Sequence, residues 1–170
     1  MAEETPDATT GDGGSSPEDE AAFARYGAEL ADLVAATLPG WVERCVAGVL
    51  VEQGIEVTGA IRAEAATAGL AARDDVAPRL AALLARDVDE QDAGPLSLLR
   101  EAVPYPTGVL AAAGAAPVER DPFDERAFPD DVYALAPAAF GDLDERLAEP
   151  GVRWGAAKAY LHLARRRGAS

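Results

Sequence analysis

Residues 23–50 read FARYGAELADLVAATLPGWVERCVAGVL, and this stretch decides the fold. Phe23, Tyr26, Leu30, Leu33, Val34 and Leu38 follow one another at spacings of mostly three and four, the repeat that gathers apolar side chains on one face of a helix. Pro39 and Gly40 break that helix or restart it. Trp41, Val42, Cys45, Val46, Val49 and Leu50 then carry a second helix, nearly continuous with the first, that ends around Gln53 and Gly54.

Toward the C-terminus the helical period returns over 57–87, with Val57, Ile61, Ala65 and Ala68 on one stripe and Val76, Leu80, Leu83 and Leu84 on another. Asp74 and Asp75 stand where an N-cap and a first-turn acid belong, and Pro78 suits a first turn, so a break is expected near Arg73. A polar loop follows over 87–94, then a short helix over 95–102 stopped by Pro104 and one further turn over 109–113. Residues 114–137 alternate Pro117, Pro122, Pro129 and Pro137 with acids and with Phe123, Phe128 and Tyr133. Regular structure is expected to be sparse there, yet so many large side chains predict an ordered segment wrapped over the helices. Residues 150–167 carry the clearest helix pattern in the chain, with Pro150 at the start, Trp154, Ala157, Leu161 and Ala164 on one face and Gly168 as the stop. No stretch alternates with period two, so the expected fold is all-α, a single irregular helical bundle over 21–167. Residues 1–20 hold seven acids, no base and no bulky apolar side chain after Met1, and are expected to be a disordered acidic tail.

Composition closes several routes to function. The 170 residues contain thirty-nine alanines, no asparagine, and one each of His, Lys, Met and Cys. Multi-His metal sites, four-cysteine zinc sites, disulfides and Asn-linked glycosylation within one chain are excluded, and the bulk available for a core is thin. The acidic start lacks the positive charge of a secretory signal or transit peptide. The longest uncharged stretch, 102–118, is short and broken by prolines, so no membrane-crossing helix is expected and the chain is placed in the cytoplasm.

Neither GxxxxGK(S/T) nor a strand followed by GxGxxG occurs. The run Asp87, Asp89, Gln91, Asp92 opens like a calcium loop, but Asp92 and Leu98 occupy the places of the required Gly and Glu. Cys45 reads as a thiol packed in a helix of Val and Leu, and His162 as a helix-surface imidazole. The neighbouring acids Asp130 with Asp131 and Asp142 with Asp144 could share protons or hold Mg²⁺, but beside Pro and Gly they read first as caps of turns and helices. No catalytic residue, cofactor-binding residue or metal ligand is assigned.

The charge distribution stands out. Net charge is −15, but residues 1–149 hold ten bases and all thirty acids, whereas 150–170 hold Arg153, Lys158, Arg165, Arg166 and Arg167 with no acid. Cations late in a helix complement its dipole, and they also form a docking surface for an acidic protein. The reading reached is a non-catalytic protein acting through protein contacts, with Trp154, Lys158, Arg165, Arg166 and Arg167 as contact residues and no membrane partner. Two alternatives stand beside it: a carboxylate-based metal-dependent or small-molecule enzyme, and a nucleic-acid accessory factor, disfavoured because the acidic body repels phosphate.

WGAAK at 154–158, ARRR at 164–167 and FPDDVY at 128–133 resemble the C-terminal half of a group of small uncharacterised proteins from GC-rich actinobacteria. The resemblance covers roughly 100–167. It implies a lineage and a cytoplasmic setting, and no catalytic residue.

Overall fold

The computed structural model describes residues 17–86, 94–119 and 130–148. Four α-helices follow one another, α1 Pro17–Glu52, α2 Gly59–Ala85, α3 Pro95–Arg100 and α4 Pro104–Ala112, and two single 3₁₀ turns close the described chain at Phe140–Asp142 and Glu145–Ala148. Among the described residues there is no strand, and the fold is all-α.

α1 begins at Pro17, ahead of Phe23, and runs unbroken through Pro39 and Gly40, so the expected interruption there is corrected. A proline inside a helix costs about 3 kcal/mol in lost hydrogen bonding and ring clash. That cost is met by burial on both sides of it: Leu30, Val34 and Leu38 before, and Trp41, Val42 and Val46 after, all lie in the core. The side chains of Phe23 and Tyr26 are outside the described set.

α2 runs antiparallel to α1 and is likewise unbroken, through both Arg73 and Pro78. The expected break near Arg73 does not occur, because Ala65, Gly69, Ala72, Val76, Leu80 and Leu84 keep one buried face along the whole helix. The cap belongs to Thr58, whose hydroxyl accepts from the Ile61 N–H at 3.3 Å. Asp74 instead pairs with Arg73 at 2.7 Å, while Asp75 faces Arg79 and accepts from the Tyr105 hydroxyl at 3.0 Å. The two long helices meet closely at two glycines. A Cβ at Gly69 would lie 2.8 Å from both Cα and O of Pro39, whereas one at Gly27 would sit 3.4 Å from Leu84.

α3 ends at Arg100, two residues short of expectation. Pro104 starts α4 rather than stopping α3, since its fixed φ and missing N–H suit the first helical position. The expected turn over 109–113 is the second half of α4. These short helices cover one side of the α1–α2 pair, placing Leu98, Leu99, Ala102 and Val103 against Leu30, Val34, Leu80 and Leu84, with Val109 and Leu110 beside Val46, Val49 and Leu50. The polar loop expected over 87–94 lies, up to residue 93, outside the described residues.

Of the irregular segment expected over 114–137, residues 115–119 and 130–137 are described and hold no helix, while 120–129, with Phe123 and Phe128, lie outside the described residues. Tyr133 is buried and donates to the Ala115 carbonyl at 3.0 Å, Leu143 and Leu147 enter the main core, and Arg100 Nε donates to the Pro137 carbonyl at 3.1 Å. Gln53 ties the hairpin tip to the end of α4 by accepting from the Ala116 N–H and donating to its carbonyl, both at 2.8 Å.

One helix bears on the expectation that none crosses a membrane. Gly27–Glu52 of α1 is long and apolar enough to cross a bilayer by length and composition, with a mean hydropathy of 1.4. The test on uncharged runs missed it because Glu43 and Arg44 interrupt the segment. In the fold its residues Leu30, Val34, Leu38, Trp41, Val42 and Val46 pack inward.

Candidate functional site

The contact residues expected from sequence, Trp154, Lys158, Arg165, Arg166 and Arg167, all lie outside the described residues, as does His162. The remaining candidates are carboxylates, one thiol and two concave surfaces.

The carboxylates act as caps. Asp131 is 4% exposed and holds the loop that follows it, accepting from Leu135 N–H at 2.9 Å and Ala136 N–H at 2.6 Å. That loop is tight enough to place Ala134 at φ 56, the left-handed region an alanine seldom enters. Asp142 accepts from the N–H groups of Ala138 and Ala139 at 2.8 and 2.9 Å, fixing the first 3₁₀ turn. Asp144 accepts from the Arg146 N–H and forms an ion pair with its guanidinium at 2.9 Å. Hydrogen bonds from Arg146 draw the Asp144 carboxyl down to about 2, well below the usual carboxylate range. Such a group is neither a proton donor nor a base near neutral pH. Among the described residues no cluster of three His, Cys, Asp or Glu side chains could hold a metal ion.

Cys45 is half-buried against the main core. Burial pushes its thiol up to about 12, the Arg44 charge offsetting only part of that rise. A nucleophilic cysteine needs the opposite environment.

Among the described residues, two open concavities stand out. One, about 390 Å³, lies between α3, α4 and the irregular segment and is lined by Ser97, Arg100, Val103, Thr107 and Asp131 among others. Four of its six polar side chains are committed elsewhere, Arg100 to the Pro137 carbonyl, Glu101 to Arg79 at 2.6 Å, Thr107 to the Val103 carbonyl and Asp131 to the loop, while Ser97 and Asp130 are exposed at its edge. The other, about 370 Å³, is a groove on α1 and the start of α2, with Gly40, Val46, Ala47, Val57, Ile61 and Ala65 as its apolar lining. Arg44, at its rim, donates to the Leu143 carbonyl and so joins the groove to the 3₁₀ turns. Sequence reading missed this groove. Its signal is small and apolar residues at helical spacing on both helices, Gly40 and Ala47 on α1 with Ile61 and Ala65 on α2.

No protein-family model matches the chain, and no curated protein or solved structure matches it.

Proposed function

We propose that this chain is a non-catalytic cytoplasmic protein that works by binding an acidic protein partner through the basic stretch 150–170. One observation carries the reading: Arg153, Lys158, Arg165, Arg166 and Arg167 stand without an acid among them, after 149 residues that hold all thirty acids of the chain. Charge separated so completely gives a long-range field that favours encounter with a surface of opposite sign. The structural employment of Asp131, Asp142 and Asp144 supports contact over carboxylate catalysis. The sequence strings at 128–133, 154–158 and 164–167 support a place among the small actinobacterial proteins they resemble.

The test replaces Arg165, Arg166 and Arg167 together with Gln in the full chain, alongside a helicity measurement on the same sample. Exposed ion pairs and dipole terms are worth about 1 kcal/mol or less, so the fold should tolerate the change. Partners captured by the unsubstituted chain should be lost, and their binding should weaken steeply between low and physiological salt. Retention of every partner by the folded triple variant refutes the proposal.

A further inference from the structure

The groove on α1 lacks a cover among the described residues. Gly40, Ala47, Val57 and Ile61 line it half-buried, over the buried Val46 and Ala65.

Two observations point to the same occupant. The described chain ends beside this groove: the Glu145–Ala148 turn packs on α1, Ala148 sits against Gly141, and the Leu143 carbonyl takes a hydrogen bond from Arg44 at the groove's rim. Twenty-two residues follow Ala148, and Trp154 comes six positions on, within a reach of about 20 Å. Second, those residues carry their own apolar series, Trp154, Ala157, Leu161 and Ala164, at helical spacing. The groove holds about 370 Å³, where a cavity of about 150 Å³ already accepts a benzene ring, so an indole fits.

We infer that residues 150–167 fold back on their own chain and seat Trp154 in the groove formed by Gly40, Ala47, Ile61 and Ala65. This completes the bundle on the open side of α1 and leaves Arg165, Arg166 and Arg167 beyond the apolar series. The inference concerns the same segment as the proposed function but does not depend on a partner being bound.

The experiment labels both tryptophans of the full chain with 5-fluorotryptophan and reads each fluorine signal in the presence of a neutral, soluble paramagnetic agent. Trp41 is buried and serves as the internal standard. The expected result is a Trp154 signal as protected as that of Trp41, at every protein concentration and without lipid. Ala47→Arg should remove the protection of Trp154 and leave Trp41 untouched. Should Ala47→Arg unfold the chain, seen as exposure of Trp41, Glu43→Arg, at an exposed position of the groove lining, carries the same test. Four results overturn the inference: Trp154 exposed in the unsubstituted chain, protection that survives the substitution at the groove, protection lost on dilution (a second copy is the occupant), or protection gained only on adding phosphatidylcholine vesicles (the face meets lipid). The Arg-to-Gln triple variant separates the two claims. Partner binding that survives it while Trp154 stays protected rejects the proposed function and keeps the cis docking.

Discussion

Gly69→Ala and Gly27→Ala are chemically the same change in the same helix pair, and the structure assigns them opposite signs. In a helix interior Ala is favoured over Gly by about 1 kcal/mol. At Gly27 the new methyl would meet Leu84 at 3.4 Å, an ordinary contact, so most of that gain should appear as added stability. At Gly69 the methyl would lie 2.8 Å from Cα and O of Pro39. Those are backbone atoms that no rotamer change can move, so α1 and α2 must separate at the point where Leu38, Val42, Ala72 and Val76 interlock. Overpacking of this kind costs about 1–3 kcal/mol, and a rigid neighbour puts it at the upper end; after the propensity gain, Gly69→Ala should be destabilising by about 2 kcal/mol. For a chain of this size that corresponds to a fall in melting temperature of roughly 4–8 °C. Urea and thermal unfolding followed by far-ultraviolet circular dichroism check it, the expected order being Gly27→Ala above the unsubstituted chain and Gly69→Ala below. A Gly69→Ala protein that melts at or above the unsubstituted chain refutes the close approach of Pro39 and Gly69.

Asp131→Asn removes one of two buried acceptors and turns an amide N–H₂ toward a backbone N–H, so it should destabilise by about 1–3 kcal/mol in urea unfolding. Cys45 should resist Ellman's reagent in the folded protein at pH 8 and react only after denaturation, because a thiol raised from 9.0 to about 12 carries about a thousandfold less thiolate. Asp144 should titrate near 2 in a carboxyl carbon NMR titration, and Arg146→Gln should return it toward 3.8. Because this carboxyl is lowered in the folded state, its contribution to stability is complete above about 3.8 and is lost as pH falls toward 2.

Periodicity revealed the helices; what it could not reveal was their continuity. Pro39, Pro78 and the Asp74–Asp75 pair are local signals for ends, and each was outweighed by tertiary burial on both sides of it. Local rules count what one residue costs its own helix, whereas Leu38, Trp41, Val76 and Leu80 are held by neighbours distant in sequence. Pro104 shows the same limit in another form. The residue reads equally as the stop of one helix or the start of the next, and only the placement of Pro106, Val109 and Leu110 in the core decides for α4. The capping Thr58 lay in plain sight, three residues before Ile61, but Asp74 and Asp75 offered a stronger signal in the wrong place.

The candidate site divides along the same line between local and distant information. That Asp131 and Asp142 would cap loops was legible, since an acid beside Pro or Gly has free backbone N–H groups within reach of its own short side chain. The groove was not, because it is made by two helices at once: Gly40 and Ala47 are unremarkable alanine-rich sequence until Ile61 and Ala65 are set against them. Small residues in an alanine-rich chain therefore carry two meanings that composition alone does not separate. At Gly69 smallness permits contact with Pro39, whereas at Gly40 and Ala47 it leaves a recess. The first is visible as a clash that any side chain would make, and the second as open room between two helices. Trp154, the one large aromatic side chain within six residues of Ala148, is the side chain whose size matches that room.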